Sequence, residues 1–304
     1  MQQIPAITIP DSITMYDKKA AEFINPAATL QRLATGFGFT EGPCWHADGY
    51  LLLSDMPANI IFKLGLNGEK QVFKTESGFT GEDKSLLSPM IGSNAIAQHP
   101  DGSLLVCRQG NHAIAKLDRQ LRFTDIAIQY EGRPFNSPNE IAVKKDGSFY
   151  FSDPPYGLKN EILHPAVFQP VAGIYYYKDG LVTLVSTDFR YPNGLCLLDD
   201  ETILLAGSNH PDEPYVVRYS IGAGGSLQHR SLFLQQNADG IKKDKMGHLY
   251  LATGDGILIV GPDGQRIALV RVPEMPTNMT FSAPGADWLL ITAGTSVYKI
   301  ALFR

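Results

Sequence analysis

Several classes of protein are excluded by what this 304-residue chain lacks. No stretch approaches the ~20 apolar residues that span a bilayer, so no membrane partner is expected. No Lys/Arg run exceeds a pair (Lys18-Lys19, Lys144-Lys145, Lys242-Lys243), and the net charge is −5. That leaves no electrostatic footprint for nucleic acid. The three cysteines, Cys44, Cys107 and Cys196, are an odd number, far apart and without a Cys-x-x-Cys. They read as buried free thiols in a reducing compartment. The N-terminal segment carries Asp11, Asp17 and Glu22 but no continuous apolar core, so it does not read as a secretory signal, and a cytoplasmic protein is expected. Gly-x-Ser-x-Gly is absent, and the run Gly222–Gly225 has no Lys or helix after it, so neither a serine-hydrolase elbow nor a phosphate loop is present. Helical periodicity is scarce outside Asp17–Ile24.

What the chain does have is a repeat. Glu41, Asn94, Asn139, Asn193, Asp239 and Asn278 each open a short apolar run, followed by a tight polar turn and a second apolar run. The turns are Asp48-Gly49, Asp101-Gly102, Asp146-Gly147, Asp199-Asp200, Met246-Gly247 and Gly285-Ala286. The intervals between the six positions run from 39 to 54 residues, the period of a four-stranded propeller blade. Strand-like runs such as Tyr50–Ser54, Phe149–Ser152 and Ile203–Ala206 alternate with Gly, Asp, Asn and Pro.

The expected fold is all-β: a six-bladed β-propeller of four-stranded blades. The last blade is too short for four strands, so a strand near Leu30–Thr35 is expected to close it and protect its edge. Residues 1–28 read as an N-terminal arm with a short helix, and 29–304 as a single propeller domain. Two excursions, Phe79–Met90 and the Pro-rich Pro154–Pro170, should emerge as loops over the scaffold.

In a closed ring the six marked side chains converge at one end of the axis. Glu41, Asn193 and Asp239 would supply two negative charges and an amide oxygen to a hard divalent cation, with Asn139 adding an amide and Asn94 and Asn278 reaching it directly or through water. His and Cys are rare at this phase, which argues against a dedicated zinc or copper site. A cation with open positions polarises a carbonyl and activates water.

The segments Glu41-Gly-Pro-Cys-Trp-His-Ala-Asp-Gly, Asn136-Ser-Pro-Asn-Glu, Ser152-Asp-Pro-Pro-Tyr-Gly, Tyr191-Pro-Asn-Gly-Leu and Ala238-Asp-Gly-Ile resemble the gluconolactonase family, which includes regucalcin (senescence marker protein) and luciferin-regenerating enzymes. The resemblance runs in order from about residue 30 to the C-terminus. It implies a metal-dependent lactonase that converts an aldonolactone to the aldonic acid by water attack on a polarised carbonyl. Glu41, Asn193 and Asp239 would be ligands, with Asn139 as a ligand or substrate contact and Asp239 also the general base. Ca²⁺ leads the candidate ions over Zn²⁺, Mg²⁺, Mn²⁺ and Fe²⁺. Asn94, Arg133, Tyr156 and Asn278 are the further substrate-contact candidates.

The expected partner is a small sugar lactone, and the protein a monomer or weak homo-oligomer. A phosphotriesterase- or aryl-esterase-like hydrolase, or a non-catalytic calcium- or ligand-binding propeller, are the alternatives. Two departures stand out. Glu140 replaces the family's usual Asp and, by strand alternation, should point away from the channel. Gln109-Gly110-Asn111 replaces a His-Gly-Asn, leaving His112 as a substitute proton carrier. Asp55 and Asp153, each following a Ser, are expected to make structural blade-to-blade hydrogen bonds, while His164 and His210 are candidates to reach the pocket.

Overall fold

The computed structural model describes residues 7–22, 24–282 and 288–302. Six antiparallel sheets follow one another along the chain, each a meander whose first strand is innermost. Blade 1 comprises Thr40–His46, Tyr50–Asp55, Ile60–Leu64 and Lys70–Thr75, and blade 2 Ser93–Gln98, Leu104–Arg108, Ala113–Leu117 and Phe123–Ala127. Blade 3 comprises Ile141–Val143, Phe149–Asp153, Gly173–Lys178 and Leu181–Ser186. Blade 4 follows with Leu195–Leu198, Ile203–Gly207, Val216–Ile221 and Leu227–Leu234, and blade 5 with Ile241–Lys243, Leu249–Thr253, Gly256–Val260 and Arg266–Val270.

Blade 6 joins the two ends of the chain. Pro276–Phe281, Leu289–Ala293 and Ser296–Ile300 come from the C-terminal side, and Leu30–Thr35 pairs antiparallel with Ser296–Ile300 as the fourth strand, as expected. The segment before it is not a free arm. Ile7–Ile9 adds a fifth strand to blade 6 and Ile13–Met15 a fifth strand to blade 5. Ala20 and Ile24 are buried in the core shared by those two blades. The helical stretch is reduced to a short 3₁₀ turn, Lys18–Glu22, and no α-helix occurs among the described residues. Among the described residues no helix is long and apolar enough to cross a membrane. The Gly285-Ala286 turn lies outside the described residues.

The second strand of each blade is apolar on both faces because a propeller sheet is covered on both sides. Leu52 packs with Ile96, Leu104 and Val106 of blade 2, whereas its neighbours Leu51 and Leu53 pack with Leu290 and Val297 of blade 6. Ile96 and Leu104 are nearly and the others fully buried, and each contributes about 1.5–3 kcal/mol by removal from water. The three cysteines are buried free thiols.

The innermost strands approach one another closely where they begin, and two glycines make this feasible. Gly42 has φ +55°, and a Cβ there would lie 2.0 Å from the Asn94 carbonyl oxygen. A Cβ on Gly194 would lie 2.1 Å from the Asp239 carbonyl oxygen. Any other residue would push the adjacent blade outward, which accounts physically for Glu41-Gly and Asn193-Gly in the sequence.

Candidate functional site

The six phase residues all sit at the start of an innermost strand and are all buried. Glu41, Asn94 and Asn278 lie on the strands themselves, while Asn139, Asn193 and Asp239 lie in the loops that enter them. Backbone bonds lock the ring: Ala95 donates to the Asn139 carbonyl, and Asn139, Asn193 and Asp239 each donate to the second strand of their own blade.

Two of the six are carboxylates that feel each other. Burial, then repulsion from Asp239, holds the Glu41 carboxyl well above the usual range, although the Gly42 N–H opposes this at 2.8 Å from Glu41 Oε2. Burial pushes Asp239 up to about 7 against the donors Asn209 and Asn193. Asn209 Nδ2 donates to Asp239 Oδ2 at 2.8 Å, whereas Asp239 Oδ1 is buried with no partner among the described residues. The amides of Asn94 and Asn139 bond no described side chain. Among the described residues no three His, Cys, Asp or Glu side chains cluster. The donor set is therefore two carboxylates and neighbouring amides, whose oxygens suit a hard divalent cation.

A chain of contacts runs outward from Asp239. Asn209 Oδ1 accepts the Tyr156 hydroxyl, Tyr156 stacks on Tyr191 with centroids 5.6 Å apart, and Tyr191 stacks on His210 at 4.0 Å. The Asn193 side chain lies beside both Asp239 and Tyr156 and acts on the proton affinity of each. Tyr156 thus joins the site, and Asn209 is a site residue that the repeat pattern missed. The available signal was Ser208-Asn209 just past a second strand, where Ser-Asp closes the second strands of blades 1 and 3.

The other expectations divide. Asn278 is in the ring, yet its amide is engaged: Nδ2 donates to Glu140 Oε2 at 2.9 Å and Oδ1 accepts the Met279 N–H at 2.9 Å. Glu140 faces inward, contrary to the alternation argument. It is 3% exposed and also takes Lys242 Nζ at 3.0 Å. Asn139 and Glu140 precede the strand Ile141–Val143, so strict alternation has not yet begun. Arg133 is exposed on the two-stranded ribbon Gln129–Tyr130/Arg133–Pro134. Asp55 and Asp153 are structural as expected, but they bond within their own blade: Asp55 takes Gly38 and Phe39, and Asp153 takes Asn136 and Ser137.

The two excursions clasp each other over blade 2. Leu87 and Leu158 form a β-bridge, Ser88 N donates to the Gly157 carbonyl and Lys159 N to the Leu86 carbonyl. Gln109 anchors this cover by donating Nε2 to the Met90 carbonyl at 2.6 Å. His112 Nδ1 lies 2.6 Å from the Asn136 carbonyl, so Nδ1 carries the proton. Burial lowers its pKa, and its ring packs on Phe168 at 4.2 Å. His164 approaches the same Phe168, with centroids 6.5 Å apart.

With this geometry in view, the comparisons are direct. A family model described as the SMP-30/Gluconolactonase/LRE-like region matches residues 39–295. The chain belongs to that family. It is 31% identical to a gluconolactonase from Zymomonas mobilis over 95% of this chain and 85% of the relative. A solved gluconolactonase structure from Xanthomonas campestris superposes with a TM-score of 0.85 at 25% identity, covering 98% of this chain and 99% of the other. The calcium-binding protein regucalcin from Agrobacterium tumefaciens shares the fold, with a TM-score of 0.70 at 20% identity over 88% and 92% of the two chains.

Proposed function

We propose that this protein is a divalent-metal-dependent lactonase of the gluconolactonase type, acting on a sugar lactone. The gluconolactonases among its relatives support the reaction class. The observation that carries the metal is Asp239: its Oδ1 is buried with no partner among the described residues, and it sits near a second buried carboxylate, Glu41. An unpaired buried oxygen beside a like charge is costly unless a cation joins it.

Glu41, Asn193, Asp239 and Asn139 would hold the ion, with Ca²⁺ as the leading choice because the donors are oxygens and two of them carboxylates. When bound, such an ion polarises the lactone carbonyl and lowers the pKa of water. The Asp239 carboxylate accepts the proton of the attacking water, while Asn209 donates to Oδ2 and so orients the group. Tyr156 holds Asn209 in that orientation. The free amides of Asn94 and Asn139 are placed to donate to oxygen atoms of the substrate, including the one that gains charge. Asn278, committed to Glu140, supports the ring from below instead of contacting substrate.

The test is hydrolysis of a panel of aldonolactones followed with a pH indicator, comparing metal-stripped, metal-restored and Asp239→Asn protein. Restored turnover that Asp239→Asn abolishes is the expected result. Turnover equal to the spontaneous rate for every lactone and every metal would overturn the proposal.

A further inference from the structure

Three buried carboxylates outside the ring repeat one geometry. Asp55 Oδ1 and Oδ2 accept the Gly38 N–H at 3.1 and 3.0 Å, and Oδ1 the Phe39 N–H at 3.3 Å. Asp153 accepts the Asn136 N–H at 2.8 Å and the Ser137 N–H at 2.7 Å. Glu213 accepts the Arg190 N–H at 2.7 Å and the Tyr191 N–H at 3.0 Å. In each case the two amides lie three and two residues before a ring residue: Glu41, Asn139 and Asn193. These loops enter the innermost strand before its ladder begins, so their N–H groups lack a sheet partner and one carboxylate takes both.

The other three loops are held differently. In blade 2 the residue that closes the second strand is Arg108, which turns to Asp125 and the Ser77 carbonyl, and the Gly92 N–H goes to the Met56 carbonyl. In blade 6 that position is Ala293, which offers no acceptor side chain. In blade 5 the loop is tied one residue closer to the ring, where the Ala238 N–H goes to the Ser208 carbonyl. In blade 4 the second strand ends at Gly207, and Glu213 reaches the same pair of amides from the loop beyond. An acceptor supplied from a different chain position, yet landing on the same two amides, is not a by-product of the repeat.

We infer that Asp55, Asp153 and Glu213 are positioning residues that set the loops carrying Glu41, Asn139 and Asn193, and through them the geometry of the cation site. The inference rests on the metal reading above for its first readout. Glu213 has a second reach, because the amide it holds belongs to Tyr191, whose ring stacks on Tyr156.

The experiment measures divalent-ion affinity by calorimetry, with Ca²⁺ and Mn²⁺ as probes, in intact wild type, Asp55→Asn, Asp153→Asn and Glu213→Gln. Glu274→Gln serves as control: Glu274 also accepts a backbone N–H, that of Thr295 at 2.7 Å, but in blade 6. Support after a positioning ligand is altered runs to about 10–100-fold in metal affinity. Each clamp variant should weaken binding within that range, and the control should stay within about twofold. Clamp variants that bind like wild type, whatever their melting temperatures, overturn the inference.

Amide hydrogen exchange of the ion-free proteins separates this outcome from failure of the metal reading. If wild type binds neither ion, exchange at 38–39, 136–137 and 190–191 decides. Acceleration of at least tenfold, confined to the loop facing each substitution, supports positioning. Unchanged exchange, or acceleration spread over the whole blade, overturns it.

Discussion

Two levels of the same axial channel hold buried acid, and they are built in opposite ways. At the upper level burial raises the proton affinity of both Glu41 and Asp239, Asp239 adds to the rise at Glu41, and one oxygen of Asp239 has no partner among the described residues. At the next level Glu140 is satisfied: Lys242 and Asn278 share Oε2, and the Ile141 N–H takes Oε1. The lower level has its cation in the chain. The upper level leaves that role open, which is where a bound ion gains most from its surroundings. Burial of charge alone does not mark a functional site; burial without internal compensation does.

Asp239→Asn breaks the upper level most directly. It removes both a charge and the proton acceptor, and kcat should fall by about 10³-fold, the range for a lost general base. Circular dichroism and melting temperature should stay near wild type, since the substitution removes a like-charge repulsion. Lys242→Met attacks the lower level instead. It strands Glu140, and loss of one partner of a buried pair costs about 3–5 kcal/mol; the lower end is expected because Lys242 is 27% exposed. Urea unfolding of Lys242→Met against Glu140→Gln/Lys242→Met should show the double variant recovering most of the loss.

Tyr156→Phe is a smaller perturbation of the upper level. It removes the hydroxyl that holds Asn209 and should lower kcat by about 3–10-fold, the worth of one hydrogen bond, with little change in melting temperature. The smallest effect comes from an acid with ordinary compensation. In the Asp146-Gly147 turn, the Ser148 hydroxyl, with Lys178, holds Asp146 down to about 2. Its folded pKa lies below its unfolded value, so the stability it contributes is present above about pH 4 and is lost as pH falls toward 2. Asp146→Asn should flatten that acid limb slightly in pH-dependent melting and leave the neutral melting temperature nearly unchanged.

How much of this was legible beforehand depends on how local the determinant is. The six-fold phase of Glu41, Asn94, Asn139, Asn193, Asp239 and Asn278 was readable because strand, turn and strand recur at blade spacing and each blade obeys the same packing. The closing strand Leu30–Thr35 was readable because the last repeat ran out of chain. Glu140 was misread because alternation was applied to a residue still in a loop. Asn209 and Glu213 were invisible to the repeat, since both act from loops beyond a second strand, where no period constrains direction.

Composition and repeat spacing by themselves determined the architecture, the ring and the oxygen-donor character of its side chains. Those follow from local rules of apolar patterning and turn chemistry that hold in every blade. Only the tertiary structure decided which ring members stay free and which are consumed. That Asn278 serves Glu140, that Lys242 neutralises the lower acid, and that Asp239 keeps one bare oxygen all depend on side chains brought together across the axis from distant blades. Sequence spacing carries no information on those distances, because ring closure sets them.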